Sequence, residues 1–234
     1  MDFKLSSRAQ DYLTRTRAFL EEHILPIEES YLRNQASRNH GGDWTRWRVS
    51  PAITRLKTKA RAEGLWNLFL PDRELGAGLT TLDYASIAEE TGRSLIAPEA
   101  FNCNAPDTGN MEVLWHCGTE EQKDRWLKPL LAGEIRSAFC MTEPDVASSD
   151  ATNIEATIEE DGEDLVLNGQ KWWATGIGHP RCRLAIFMGV SDKGADRHHR
   201  HSMVLVPLPT KVTIRRMLTA FGEYDEPYGH GEVW

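Results

Sequence analysis

Up to about residue 134 the apolar positions recur at helical spacing. Leu13, Leu20, Ile24, Ile27 and Tyr31 fall on one stripe and predict a long first helix. A second helix is predicted to start at Ser50, because a serine N-cap followed by Pro51 at the first helical position suits both the free N–H groups and proline's fixed φ. Ile53, Leu56 and Ala60 form its apolar face. Further helices are expected at 80–93, behind Thr80 or Thr81, and at 119–131, where Thr119 and Gln122 have capping-box spacing. Trp126, Leu127, Leu130 and Leu131 would be the apolar side of the last one. All these stripes read as core and carry no chemistry.

After Gly133 the period changes to two. Short alternating runs predict strands near 135–142, 154–159, 164–168, 170–175, 183–190 and 202–207. Asp161-Gly162 and Asn168-Gly169 punctuate them as hairpin dipeptides. Helices followed by strands argue for an α+β chain: an all-helical domain over 1–134, then an antiparallel, β-barrel-like domain over 135–234 that is incomplete at its C-terminal end.

Composition narrows the function classes. Lys plus Arg number 27 against 35 Asp plus Glu, a net charge of −8 without any basic block, which argues against nucleic acid as the main partner. Cys103, Cys117, Cys140 and Cys182 are widely spaced, form no C-x-x-C pair and fit a reducing compartment. The start "MDFKLSSRAQDYL" contains acids and no apolar run, and nothing approaches 18 consecutive apolar residues. Neither a signal peptide nor a membrane span is expected, and a cytoplasmic location follows.

The stretch "FCMTEPDVASSDATNI" holds the first candidate chemistry. It opens as a strand, is stopped by Pro144, and then gathers Asp145, Ser148, Ser149, Asp150 and Thr152 within eight residues. Such a run is either an ordinary loop of Asx and serine turns or a cradle of hydroxyls and backbone N–H groups for an oxygen-rich ligand. In "QKWWATGIG", Trp173 and Thr175 are two residues apart, so a strand puts them on one face, a flat ring beside a hydroxyl. That pair suits a planar heteroaromatic ligand, and equally a buried tryptophan beside a strand threonine.

Together, "FCMTEPDVASSD" and "LNGQKWWATG" some twenty residues on resemble the paired flavin-binding segments of the acyl-CoA dehydrogenase family. The preceding "APDTGNMEVLWHCGTEEQKDRWLKPLLAGEIRSAFCMTEPD" resembles that family's lead into its β-domain, and the likeness is closest to the branch of family members ten and eleven. The resemblance implies a helical domain, a β-barrel domain and a C-terminal four-helix bundle around FAD, the bundle being absent before the sequence ends at "GHGEVW". It implies that Phe139, Met141, Thr142, Ser148 and Ser149 line the flavin, with Thr142 near the pyrimidine edge and Ser149 also meeting the acyl-CoA. Trp173 would pack on the ring system and Thr175 would bond near N5. The loop is one residue longer than the family's commoner "EPGAGSD".

The implied reaction is α,β-dehydrogenation of a fatty acyl-CoA, with an electron-transferring flavoprotein as acceptor and a homodimer or homotetramer as the full-length assembly. The family's base is a glutamate of the missing bundle, and Glu143 is a wall residue rather than its replacement. The 234 residues alone are therefore expected to be inactive. A non-catalytic, truncated dehydrogenase-like interaction module is the alternative. A metal site at His198, His199 and His201 is the rival from another class; adjacent histidines in a strand face opposite ways, and Arg197 and Arg200 would repel a cation.

Overall fold

The computed structural model describes residues 3–37, 40–209 and 212–234. Two compact units emerge. One comprises the chain to Ser37 together with Val49–Gly133, and the other comprises Glu134–Trp234 together with the segment that ends at Arg48.

The first unit is helical. Helix α1 (Ser7–Phe19) runs through a π-turn (Leu20–Ile24) into α2 (Leu25–Ala36), so the long helix predicted from the apolar stripe is present but locally underwound. The cause is Pro26, which has no N–H to donate; just before it the Leu25 N–H bonds to the Leu20 carbonyl, five residues back. The same device recurs after α7 (Glu120–Gln122), where a π-turn (Lys123–Leu127) precedes Pro129 in α8 (Lys128–Leu131).

Caps lie where their chemistry demands. Ser50 accepts from the Ala52 N–H at the start of α3 (Pro51–Ala62), and Thr80 accepts from the Asp83 N–H at the start of α4 (Thr81–Thr91). Thr119 and Gln122 form the reciprocal capping box. Short α5 (Ala97–Ala100) and α6 (Asp107–Cys117) lack such signals. α6 has no side-chain cap, and it buries Asp107 and Asn110 alongside Met111 and Leu114, which blurs any apolar stripe. Phe19, Ile24, Ile53, Leu56 and Phe101 lie in the main core of this unit.

The second unit is a curled mixed sheet. Its strands are β1 (Arg136–Cys140), β2 (Thr157–Asp161), β3 (Asp164–Asn168), β4 (Lys171–Thr175), β5 (Cys182–Val190), β6 (His201–Pro207), β7 (Ile214–Leu218) and β8 (His230–Val233). One sheet runs β1-β5-β2-β3 with β6 also on β5, and a second runs β4-β8-β7. The helices-then-strands order holds, but the expected antiparallel sheet is mixed, since β1 and β2 both pair with β5 in parallel. A long intervening chain allows this: more than forty residues separate β1 from β5, ample for a crossover that a hairpin could not make.

The Asp161-Gly162 hairpin forms, with β2 and β3 in register from Thr157↔Asn168 to Asp161↔Asp164. The hairpin expected at Asn168-Gly169 does not. There the chain leaves one sheet for the other, and β4 pairs with β8. Gly169 permits the crossing: it sits at φ +152°, and a Cβ there would lie 2.4 Å from the Ala156 Cβ. Residues 40–48 also belong to this unit. Their anchor is Trp47, fully buried against Gly178 and Gly229, where any Cβ would strike the indole.

Candidate functional site

Two backbone-linked segments build the candidate site. Thr142 lies two residues past the end of β1, and its carbonyl accepts from the Trp172 N–H at 3.0 Å while its hydroxyl donates to the Trp172 carbonyl at 2.8 Å. Thirty residues apart in sequence, the two motifs are thereby stitched side by side. With its hydrogen committed to Trp172, the Thr142 Oγ1 keeps lone pairs with which to accept. Phe139, opposite Ile186 in the β1–β5 pairing, and Met141 are half-buried beside it.

The loop after Pro144 divides its polar groups by direction. Ser148 is buried; its hydroxyl oxygen accepts from the Glu143 N–H at 2.6 Å and closes the loop on itself. Asp150 accepts from both the N–H and the hydroxyl of Thr152, and these bonds hold its carboxyl below the usual carboxylate range. Ser149 is exposed. Of the two serines, one shapes the loop and the other faces out.

Beneath the loop lies an ion pair that sequence reasoning missed. Glu143 is buried and accepts from the Glu155 N–H (2.9 Å), the Ala156 N–H (3.0 Å) and the Lys171 ammonium (2.7 Å). Lys171, only 1% exposed, also donates to the Met141 carbonyl at 2.8 Å. Burial pushes the lysine pKa down, against the pull of Glu143. The pair ties the middle of the first motif, β4 and the residues leading into β2 into one knot. A charged residue between an apolar strand and two tryptophans was the available signal, but its partner 28 residues away could not be read locally.

Trp173 is the outlier. It sits at φ +53° at a register shift in the β4–β8 pairing, and its side chain is 42% exposed. A positive φ on so bulky a residue costs on the order of 1–3 kcal/mol and persists only where the surroundings impose it. Such bulges re-aim side chains next to binding sites. The simple alternation expected to put Trp173 and Thr175 on one face is broken here, yet the two converge on a third residue. His230 of β8 places Nδ1 2.9 Å from the Thr175 Oγ1, and its ring centroid lies 5.9 Å from that of Trp173. On its far side the His230 Nε2 is 3.6 Å from the Asp225 Oδ2. Sequence reasoning overlooked His230 because β8, flanked and interrupted by Gly229 and Gly231, shows no alternation.

The site thus offers an exposed indole at a strained backbone angle, a hydroxyl tied to an imidazole and, in the loop, an exposed serine. Residues 6–134 match the family model described as the acyl-CoA dehydrogenase N-terminal domain, and residues 138–233 match the middle domain. The chain belongs to the acyl-CoA dehydrogenase family. It is 52% identical over 234 residues to acyl-CoA dehydrogenase family member 11 of Gallus gallus, covering 99% of this chain and 30% of that protein. A solved Mycobacterium abscessus structure assigned to the acyl-CoA dehydrogenases superposes with a TM-score of 0.92 at 55% identity, over 98% of this chain and 57% of that one. A glutaryl-CoA dehydrogenase from Mycobacterium smegmatis, solved in complex with FADH2, shares the fold at 21% identity, with a TM-score of 0.70 over 98% of this chain and 52% of that one. The chain thus spans little more than half of the solved relatives and about a third of the curated one. Among the described residues no helix is long and apolar enough to cross a membrane, and no His, Cys, Asp and Glu cluster could hold a metal ion.

Proposed function

We propose that this chain supplies the flavin-binding and part of the acyl-CoA-binding surface of an FAD-dependent acyl-CoA dehydrogenase that oxidises the α,β bond of an acyl chain. The observation that carries this reading is Trp173, held at a strained backbone angle with its ring open to solvent beside the Thr175 hydroxyl. Backbone strain of this kind clusters at ligand-binding sites, and here it aims an apolar ring outward.

The residues offer chemistry that suits an isoalloxazine ring. Trp173 offers an apolar face, Phe139 and Met141 offer half-buried apolar edges, and Thr142 and Thr175 offer hydroxyl groups to ring heteroatoms. Ser148 supports the loop from within, and Ser149 faces outward to meet the acyl-CoA. When bound, the flavin supplies the hydride-accepting chemistry, and the protein supplies orientation and electrostatics. Glu143 is not the base, because its carboxylate is buried and already accepts from Lys171 and two backbone N–H groups. The reading assigns the base to no residue among these 234. An electron-transferring flavoprotein as acceptor, a homo-oligomeric assembly and a cytoplasmic location belong to the same proposal.

The alternative, a non-catalytic interaction module, draws on an apolar groove of about 570 Å³ in the second unit, lined in part by Leu165, Val166, Val204 and Trp234. Flavin content separates the two. The proposal expects about one FAD per chain after reconstitution and a change in the flavin absorption band on titration with an acyl-CoA. A protein that retains no flavin at saturating FAD would leave the interaction module standing.

A further inference from the structure

Thr175, His230 and Asp225 form a chain of polar contacts behind the exposed face of Trp173. We propose that His230 is a positioning residue that fixes which way the Thr175 hydroxyl points its hydrogen, with Asp225 holding the imidazole in the Nε2–H tautomer. The inference rests on the reading that a flavin packs against Trp173 with its N5 edge toward the Thr175 hydroxyl, and it adds a determinant of which flavin oxidation state the site prefers.

A neutral imidazole has one N–H and one bare nitrogen, and its surroundings decide which is which. The Asp225 Oδ2 stands 3.6 Å from Nε2, too far for a good hydrogen bond but close enough for a carboxylate to favour the proton on that side. Nδ1 is then bare, and at 2.9 Å it accepts from the Thr175 hydroxyl. The hydroxyl spends its only hydrogen on His230 and turns its lone pairs outward. A ligand atom on that side meets an acceptor.

An acceptor discriminates between flavin states. The oxidised ring system presents a bare nitrogen at N5, whereas the reduced one presents an N–H there. The site so arranged favours the reduced form and raises the flavin's reduction potential. Protonation of His230 reverses the arrangement: the imidazolium donates from both nitrogens, the Thr175 oxygen accepts from Nδ1–H, and the hydroxyl hydrogen is released toward the ligand.

Among the described residues, few groups face His230. Thr175 and the Trp173 indole come from β4, Asp225 from the connection before β8, and the uncharged Leu218 is its register partner on β7. Asp225 itself sits at φ +55°, a positive angle uncommon outside glycine and tolerated best by Asn and Asp, so its place is set by the connection.

Two measurements test the proposal. In flavin-free protein, nitrogen chemical shifts of the neutral His230 imidazole should report Nε2 protonated and Nδ1 bare, and Asp225→Asn should turn that single tautomer into a mixture. In flavin-loaded protein, His230→Leu and Thr175→Val should each lower the reduction potential. One neutral hydrogen bond discriminates by up to about tenfold, or about 30 mV for a two-electron couple. The double variant should go no lower than either single, since both changes cut the same contact. His230→Asn, whose amide can take the Nδ1 position, should recover most of the shift, which a merely disrupted fold would not. An Nδ1–H tautomer, unchanged potentials or additive losses would overturn the proposal. If the protein holds no flavin, the parent reading fails, while the nitrogen shifts still judge the role of His230.

Discussion

The Lys171 ammonium lies 2.7 Å from the Glu143 carboxylate with both side chains buried, and the pair adds a buried link to the Thr142–Trp172 bonds between the two halves of the candidate flavin surface. Lys171→Met would leave a buried carboxylate with two backbone donors and no cation. Removing one partner of a buried pair costs about 3–5 kcal/mol. Urea unfolding should show that loss, and the double change Glu143→Leu with Lys171→Met should recover only part of it, because the N–H groups of Glu155 and Ala156 then lose their acceptor. A single variant as stable as the wild type would mean that the pair is solvated.

Adjacent serines should separate cleanly. Ser148→Ala removes a buried acceptor from the Glu143 N–H and should destabilise the protein by about 1–3 kcal/mol, read as a lower thermal midpoint. Ser149→Ala should leave the midpoint unchanged and weaken acyl-CoA binding by about 0.5–1.5 kcal/mol. Titration of the flavin band with an acyl-CoA checks the second half. Swapped phenotypes would exchange the roles assigned to the two residues.

Much of this architecture is legible in the sequence, and the gaps have physical causes. Capping at Ser50, Thr80 and Thr119 depends on neighbours within a few residues, and each of those helices starts where its cap indicates. Strand β3 matches its expected span, because the Asp161-Gly162 turn fixes the register of its hairpin locally. Asn168-Gly169 presents the same local signal with a different outcome, since what Gly169 accommodates is the approach of Ala156, a long-range contact. Parallel pairing of β1 with β5 is likewise a property of the crossover and not of either strand. At the candidate site Trp173 and Thr175 stand out by type. Lys171 and His230 become visible only once Glu143 and Thr175 are beside them in space.

Acid should loosen the second sheet through Glu232. This buried carboxylate accepts from Arg216 at 2.6 Å and from Arg215 at 2.8 Å, and those bonds, Arg216 foremost, hold its pKa below the ordinary range despite burial. The folded pKa lies below the unfolded one, so the contribution to stability is complete above the usual carboxylate range and is lost as pH falls through the folded value. Glu232→Gln should therefore be less stable than the wild type at neutral pH, by a modest amount because both arginines are more than half exposed. The gap should close on acidification. A gap that stays constant down to the acid transition would remove Glu232 from the account of acid sensitivity.

The central claim is that a flavin packs on the exposed ring of Trp173, and FAD affinity of Trp173→Ala tests it most directly. Trp172 supplies the control, because its backbone is stitched to Thr142 whatever its side chain, so Trp172→Ala keeps the two motifs together. Equilibrium titration of flavin-free protein, followed by fluorescence, should show Trp173→Ala weakened by about 0.5–1.5 kcal/mol for the stacking contribution, and further for the apolar area lost. Trp172→Ala should change affinity less. Wild-type affinity in Trp173→Ala, in a variant that unfolds at the wild-type midpoint, would contradict the placement of the flavin on this face.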